Sequence, residues 1–217
     1  MGELFTTNPE KLSDLLDGVQ KGYIQLPDFQ RGWVWDEERI KKLLVSILQH
    51  FPIGAIMMLN AGGENAKFSS VVLKNVPETN ITPKRLLLDG QQRLTSLYQV
   101  LKYGGAVDTT DVRKKELKRY YYFNILEIIK EDIDEENVVI IANENKYSKK
   151  TGTVEAYDYS TIDKECASDV FPTNLVLDIT AMNHWGQVYT KQFTDPEKSQ
   201  KWNLFCINLS PVIHCSN

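Results

Sequence analysis

The chain has 217 residues, three cysteines and a formal net charge of −4, with a sequence pI near 5.5. That length supports one well-filled core, or one domain with a substantial appendage. The acidic balance excludes a broadly basic duplex-binding surface, so any DNA contact is local or supplied by another chain.

Taken in chain order, Asn8 and Pro9 suit the N-cap and first position of a helix whose apolar face is Leu12, Leu15, Leu16 and Val19, with Gly22 ending it. YIQL (23–26) reads as a short strand stopped by Pro27. The stretch DFQRGWVW is too polar and irregular for either period. Asp36 then caps a second helix in which Ile40, Leu43, Leu44, Ile47 and Leu48 keep helical spacing. Pro52 and Gly54 break that pattern, and AIMML (55–59) predicts a buried strand. A turn at Gly62 and Gly63 leads to FSSVVL (68–73), and the run ending at Leu88 predicts a central strand. A third helix carries Leu94, Leu97, Tyr98 and Leu101 on one face and closes at Gly104 and Gly105.

After residue 105 the texture changes. The charged stretch DTTDVRKKELKR precedes YYYFNIL (120–126), an acidic solvated loop spans Glu127 to Glu136, and VVIIA (138–142) completes a two-stranded extension. The tyrosines of that strand are expected to be packing residues. From Asn143 the chain is polar and turn-rich as far as VFPTNLVLD, and ITAMNHWGQVY and DPEKSQKWNLF, which starts at Asp195 and Pro196, predict two helices. FCINLSPVIHCSN ends on an extended apolar stretch, as though a strand or further domain should follow.

Cys166, Cys206 and Cys215 form no CxxC pair, and His50, His184 and His214 are scattered, so neither a disulfide framework nor a zinc site is indicated. No apolar run reaches the roughly 20 residues of a bilayer span and the N-terminus lacks a signal-peptide layout, so a cytoplasmic location is expected.

Two polar clusters stand out at element boundaries. In LLLDGQQRLTSL, Gly90 lies at the strand-to-helix turn, and Gln91, Gln92 and Arg93 occupy the first helical turn. A helix N-terminus attracts anions through its unpaired N–H groups and dipole, and an arginine there can hold a phosphate through two hydrogen bonds. Asp89 could orient the turn, pair with Arg93 or meet Mg²⁺ carried by a nucleotide. The plainer alternative is a common Asp-Gly turn with Asp89 as a cap and exposed Gln and Arg. In LPDFQRGWVWDEERI, Phe29, Gln30, Arg31, Trp33 and Trp35 combine stacking surface with a guanidinium suited to a base or phosphate. There the alternative is that the aromatics are core and Arg31 pairs with Asp28 or Glu37.

IQLPDFQRGWVW, SILQHFPIGAIMML and LLLDGQQRLTSL, in that order, resemble the N-terminal domain of GmrSD-type modification-dependent restriction and phage-defence proteins, within the ParB/sulfiredoxin-like superfamily. The resemblance is most specific over residues 10–105 and weaker through YYYFNIL and VFPTNLVLD. It implies an α+β fold, with a small mixed sheet from strands near 23, 55, 70 and 86 packed by helices near 12, 40 and 94. It further implies a ParB-like domain over residues 1–105 and a β-hairpin and helical extension over 106–217, ending before a further C-terminal domain.

By the same resemblance, Asp89, Gly90, Gln91, Gln92 and Arg93 carry the nucleotide chemistry, Phe29, Gln30 and Arg31 form the matching loop, and Pro52, Ile53 and Gly54 wall the pocket. The implied activity is Mg²⁺-dependent binding and hydrolysis of a nucleoside triphosphate in a domain that senses modified DNA. Arg93 and Arg31 would bind phosphates, Gln91 or Gln92 would position a water or phosphate oxygen, and Asp89 would act through Mg²⁺ or by holding Arg93. Implied partners are modified DNA through the full-length protein and an HNH-type nuclease domain or subunit, with room for a homo-oligomer. No histidine here sits in an HNH-type motif, so DNA cleavage by this chain alone is not expected. The competing expectations are a module that binds nucleotide or nucleic acid without turnover, and a ParB-like nuclease.

Overall fold

The computed structural model describes residues 9–30, 32, 35–61, 69–149, 156–191, 196–210 and 212. Asn8, Arg31, Trp33, Gly62, Gly63, Asp195, His214 and Cys215 lie outside the described residues. The fold is α+β.

Helix α1 (Leu12–Gln20) buries Leu12, Leu15, Leu16 and Val19 as the periodicity requires. It starts later than Pro9 suggests, because Lys11 is still extended and supplies no side-chain cap. Strand β1 (Ile24–Pro27) follows, and helix α2 (Glu37–Leu48) is capped by Asp36, whose carboxylate accepts from Arg39 N at 2.8 Å. Strands β2 (Met57–Asn60), β3 (Ser70–Val71) and β4 (Arg85–Asp89) and helix α3 (Gln91–Leu101) complete the first half. The sheet order is β2-β4-β1-β3, with β1 and β4 parallel and the other pairs antiparallel. The run ending at Leu88 is a central strand, as its leucines imply. AIMML is not buried: β2 pairs only with β4, so Met57 and Leu59 are exposed, while Ile56 and Met58 pack partly on the core.

The charged stretch after residue 105 is a hairpin rather than a leader to one. Strand β5 (Val107–Thr110) turns into β6 (Glu116–Asn124) through Asp111, whose carboxylate accepts from Arg113 N at 2.8 Å and Lys115 N at 2.9 Å. The acidic segment holds two short helices instead of a plain loop, α4 (Ile125–Ile128) and α5 (Glu135–Val138). Asn124 and Asp134 cap them, and Ile125, Ile128 and Val138 are buried. Strand β7 (Val139–Ala142) pairs with β6 as expected.

The segment read as turn-rich contains the hairpin β8 (Tyr147–Lys149) and β9 (Ala156–Asp158) and helix α6 (Ile162–Ala167), capped by Thr161. Strand β10 (Val170–Pro172) adds to β6, and a 3₁₀ turn spans Thr173–Leu175. The two expected helices are α7 (Ile179–Lys191) and α8 (Pro196–Asn208). They approach closely at Gly186, where a Cβ would collide with the Trp202 ring. One apolar cluster runs from Leu12 through Leu97, Phe123 and Trp185 to Val212, so the sheets and helices share a core.

Candidate functional site

Strand β4 leads into α3 through Gly90, the helix N-cap at φ +90°, a left-handed value that favours glycine. A Cβ at Gly90 would lie 3.2 Å from Ile56 Cγ1, so the turn is also tight. Leu94, Leu97, Tyr98 and Leu101 are buried and anchor the helix, which leaves Gln91, Gln92 and Arg93 in its first turn. Asp89 stands at the strand end with its side chain 73% exposed.

Arg93 turns inward onto the loop after α2. Its Nη1 donates to Ile53 O at 2.5 Å and its Nη2 to Ala55 O at 2.8 Å, with Asp89 Oδ2 at 3.4 Å from Nη2. Gly54, between those carbonyls, has φ +86°, and a Cβ there would collide with the guanidinium. Arg93 therefore clamps the 53–55 loop against α3. Its contact with Asp89, made at a largely exposed carboxylate, adds little stability of its own.

The second polar cluster meets the first. Because β1 and β4 are adjacent and parallel, with Ile24 opposite Arg85 and Gln25 opposite Leu86, the segments leaving their carboxyl ends emerge side by side. Gln30 Nε2 donates to Leu87 O at 2.7 Å and to Leu88 O at 3.0 Å, across 57 residues of sequence. Gln92 Nε2 returns the tie by donating to Gly32 O at 3.3 Å. Gln30, Gly32, Gly54, Asp89, Gly90, Gln92 and Arg93 are thus in one neighbourhood. Phe29 is 67% exposed, not core. Trp35 packs partly against the core, and Glu37 pairs with Arg119 at 2.7 Å. The position of Arg31 is outside the described residues.

The arrangement offers the positive end of an 11-residue helix beside an exposed carboxylate, an exposed aromatic ring and two fixed amides. Among the described residues no group of three or more His, Cys, Asp or Glu is gathered for a metal ion. Burial pushes the Cys166 thiol up to about 12, which removes it as a ready nucleophile. No helix among the described residues is long and apolar enough to cross a membrane.

Two cavities formed by described residues lie away from this turn. One, of about 790 Å³, runs between Trp35, Lys74, Lys118, Arg119 and Asn143. Its cations are largely offset, since Lys74 and Lys118 lie 3.5 and 3.7 Å from Asp108 and Arg119 pairs with Glu37. The other, of about 280 Å³, collects Gln99, Tyr120, Tyr122, Lys146, Thr173, Asn174 and Glu165. Sequence reading passed over Lys146 and Glu165, which lie in a segment taken as loop; the only signal nearby was the tyrosine run of β6.

Residues 12–203 match the family described as GmrSD restriction endonuclease, N-terminal domain. The chain belongs to that family. It is also 28% identical, over 192 residues, to an uncharacterized protein of Methanocaldococcus jannaschii, a match covering 86% of this chain and 31% of that protein. The chain thus spans about a third of the length of that relative.

Proposed function

We propose that the Gly90 turn, together with the loop carrying Gln30, is the nucleotide site of a restriction module, and that it binds and hydrolyses a nucleoside triphosphate with Mg²⁺. The observation that carries this reading is the reciprocal tie of Gln30 to β4 and Gln92 to Gly32, which brings both polar clusters to the carboxyl ends of the two central strands. Phosphates would meet the positive end of the α3 dipole, and Arg31 would supply a cation from the adjoining loop. Arg93, already engaged with two carbonyls, would act by holding the 53–55 loop as a wall of the site and by turning its remaining N–H groups to a phosphate oxygen. Gln91 or Gln92 would position the attacking water. Asp89 fits Mg²⁺ only as an outer partner, because it is a single exposed carboxylate and the ion would arrive on the phosphates. Sensing of modified DNA and control of an HNH-type nuclease domain or subunit would belong to the longer protein.

The engagement of Arg93 with protein carbonyls favours one second reading, a site that binds nucleotide or nucleic acid without turnover. Titration of ATP, GTP, CTP and UTP with and without Mg²⁺, with phosphate release measured in parallel, separates the two. Hydrolysis predicts Mg²⁺-dependent release from at least one nucleotide, lost in Gln92→Ala and in Arg93→Ala. Binding without release supports the second reading, and no binding of any of the four by the folded chain rejects the hydrolytic reading and leaves the second dependent on nucleic acid.

A further inference from the structure

The 280 Å³ cavity lies at the other end of α3 from the Gly90 turn, against β6, α6 and the 3₁₀ turn. An 11-residue helix is about 16 Å long, so the two places are separate. Its walls combine tyrosine surface with groups whose hydrogen-bonding capacity the protein leaves partly unused. Glu165 is only 5% exposed, yet its carboxylate has one close donor, Trp185 Nε1 at 3.0 Å on Oε2. Lys146 Nζ stands 3.9 Å from Oε1, beyond hydrogen-bond length. A carboxylate accepts about four hydrogen bonds, so acceptor capacity remains. Gln99 is 1% exposed; its Oε1 accepts from Asn75 Nδ2 at 3.0 Å, while its Nε2 has no acceptor among the described residues. An unmade buried hydrogen bond of this kind is destabilising, and an acceptor brought by a ligand would relieve it.

We propose that this cavity is a second binding site and that it takes a planar lactam ring of the guanine type, whether from a free nucleoside or from an unstacked base of a nucleic-acid strand. The carboxylate of Glu165 matches the adjacent ring and amino N–H donors of guanine, and the Gln99 amide matches the carbonyl beside them. With Glu165 ionised, Lys146 and Glu165 together bring no net charge, which suits a neutral ring better than an anion. Tyr120 and Tyr122, two residues apart on one face of β6, supply aromatic wall, and Lys146 lies over the Tyr120 ring at 5.1 Å. The volume is at the small end for ligand pockets, which fits a base rather than a whole cofactor.

This inference does not rest on the phosphate reading, because guanosine carries no phosphate. Trp185 borders the cavity, so guanosine is titrated into the full chain with tryptophan fluorescence and calorimetry as readouts. Expected are saturable binding of guanosine and at least tenfold weaker binding of adenosine and cytidine. Glu165→Gln keeps an acceptor for Trp185 but loses the carboxylate, and should weaken guanosine at least tenfold while remaining folded; Gln99→Leu is the second variant, expected to act in the same direction. A single-stranded oligonucleotide with one guanine, compared with the same strand carrying adenine, identifies the source of the ring. Guanine-dependent binding in either arm supports the site. Failure of both arms with folded protein, or guanosine affinity unchanged from the parent in both variants, overturns it.

Discussion

The Gly90 turn and the helical pair α7/α8 are built on opposite plans. At the turn, the holding contacts are side-chain hydrogen bonds to backbone carbonyls, from Gln30, Gln92 and Arg93, around residues that are mostly half-buried or exposed. Around Trp185 the holding contacts are rings. Phe171 meets Trp185 edge-on at 5.1 Å, and Trp202 lies 5.4 Å from both Trp185 and Phe205. Beside the rings, Lys198 Nζ donates to Asp169 Oδ1 at 2.6 Å and to Cys166 O at 3.0 Å, and Tyr189 donates to the same Asp169 oxygen at 2.5 Å. Buried rings and a satisfied buried pair stabilise; carbonyl ties at a glycine turn cost little to break but fix geometry. Stability and ligand response should therefore separate along the chain.

The largest effect is expected at Lys198. Lys198→Met keeps the apolar stem but leaves Asp169 as a part-buried carboxylate without its cation, and should destabilise by about 3 kcal/mol in urea unfolding. A loss below about 1 kcal/mol would show that α8 is not held to α6 and β10 in the way described.

Glu165 comes next and runs in the other direction. Burial raises its carboxyl from 4.5 to about 7, with Trp185 and Lys146 only partly offsetting that rise. A carboxyl whose pKa is higher in the folded chain favours folding while protonated, so that contribution is full below about pH 4.5 and is lost as the pH rises through about 7. Glu165→Gln should accordingly match the parent near pH 4 and exceed it at pH 8, by up to about 3 kcal/mol. Thermal melts of both proteins across that range test it; parallel curves would contradict the burial of a charge at this wall.

The smallest change in stability is expected at the turn. Gln30→Ala removes the tie to Leu87 and Leu88 and should cost about 1 kcal/mol. On the proposed function it should weaken nucleotide binding at least tenfold, the reverse of the pattern expected for Lys198→Met. Equal losses of binding in the two variants would erase the contrast between the regions.

Legibility in the sequence followed burial and locality. The faces of α1, α2 and α3 could be read directly, because Leu12, Leu15, Leu16, Val19, Ile40, Leu43, Leu44, Leu94 and Leu97 repeat at helical spacing and are buried. The Asp36 cap was also legible, since it needs only residues three apart. Strand AIMML misled because apolar content does not reveal that a strand has one neighbour only. The β5–β6 hairpin was hidden because charged and polar residues interrupt the few buried positions around its turn, and that turn depends on one Asp111 side chain. At the site, Gly90 and the polar run after it were visible. The inward turn of Arg93 was not, because its acceptors lie about forty residues away, at Ile53 and Ala55.

By itself the sequence determined the helices, the central leucine strand, the glycine turn and the family, all of which depend on local periodicity or on contiguous residues. Only the tertiary structure decided that Gln30 reaches β4, that Arg93 clamps the 53–55 loop, and that Glu165, Gln99 and Lys146 wall one cavity. The physical reason is that a hydrogen bond between distant segments leaves no periodic trace: its partners are polar residues in irregular stretches, and the parallel pairing of β1 with β4 that brings them together is a property of the packed sheet.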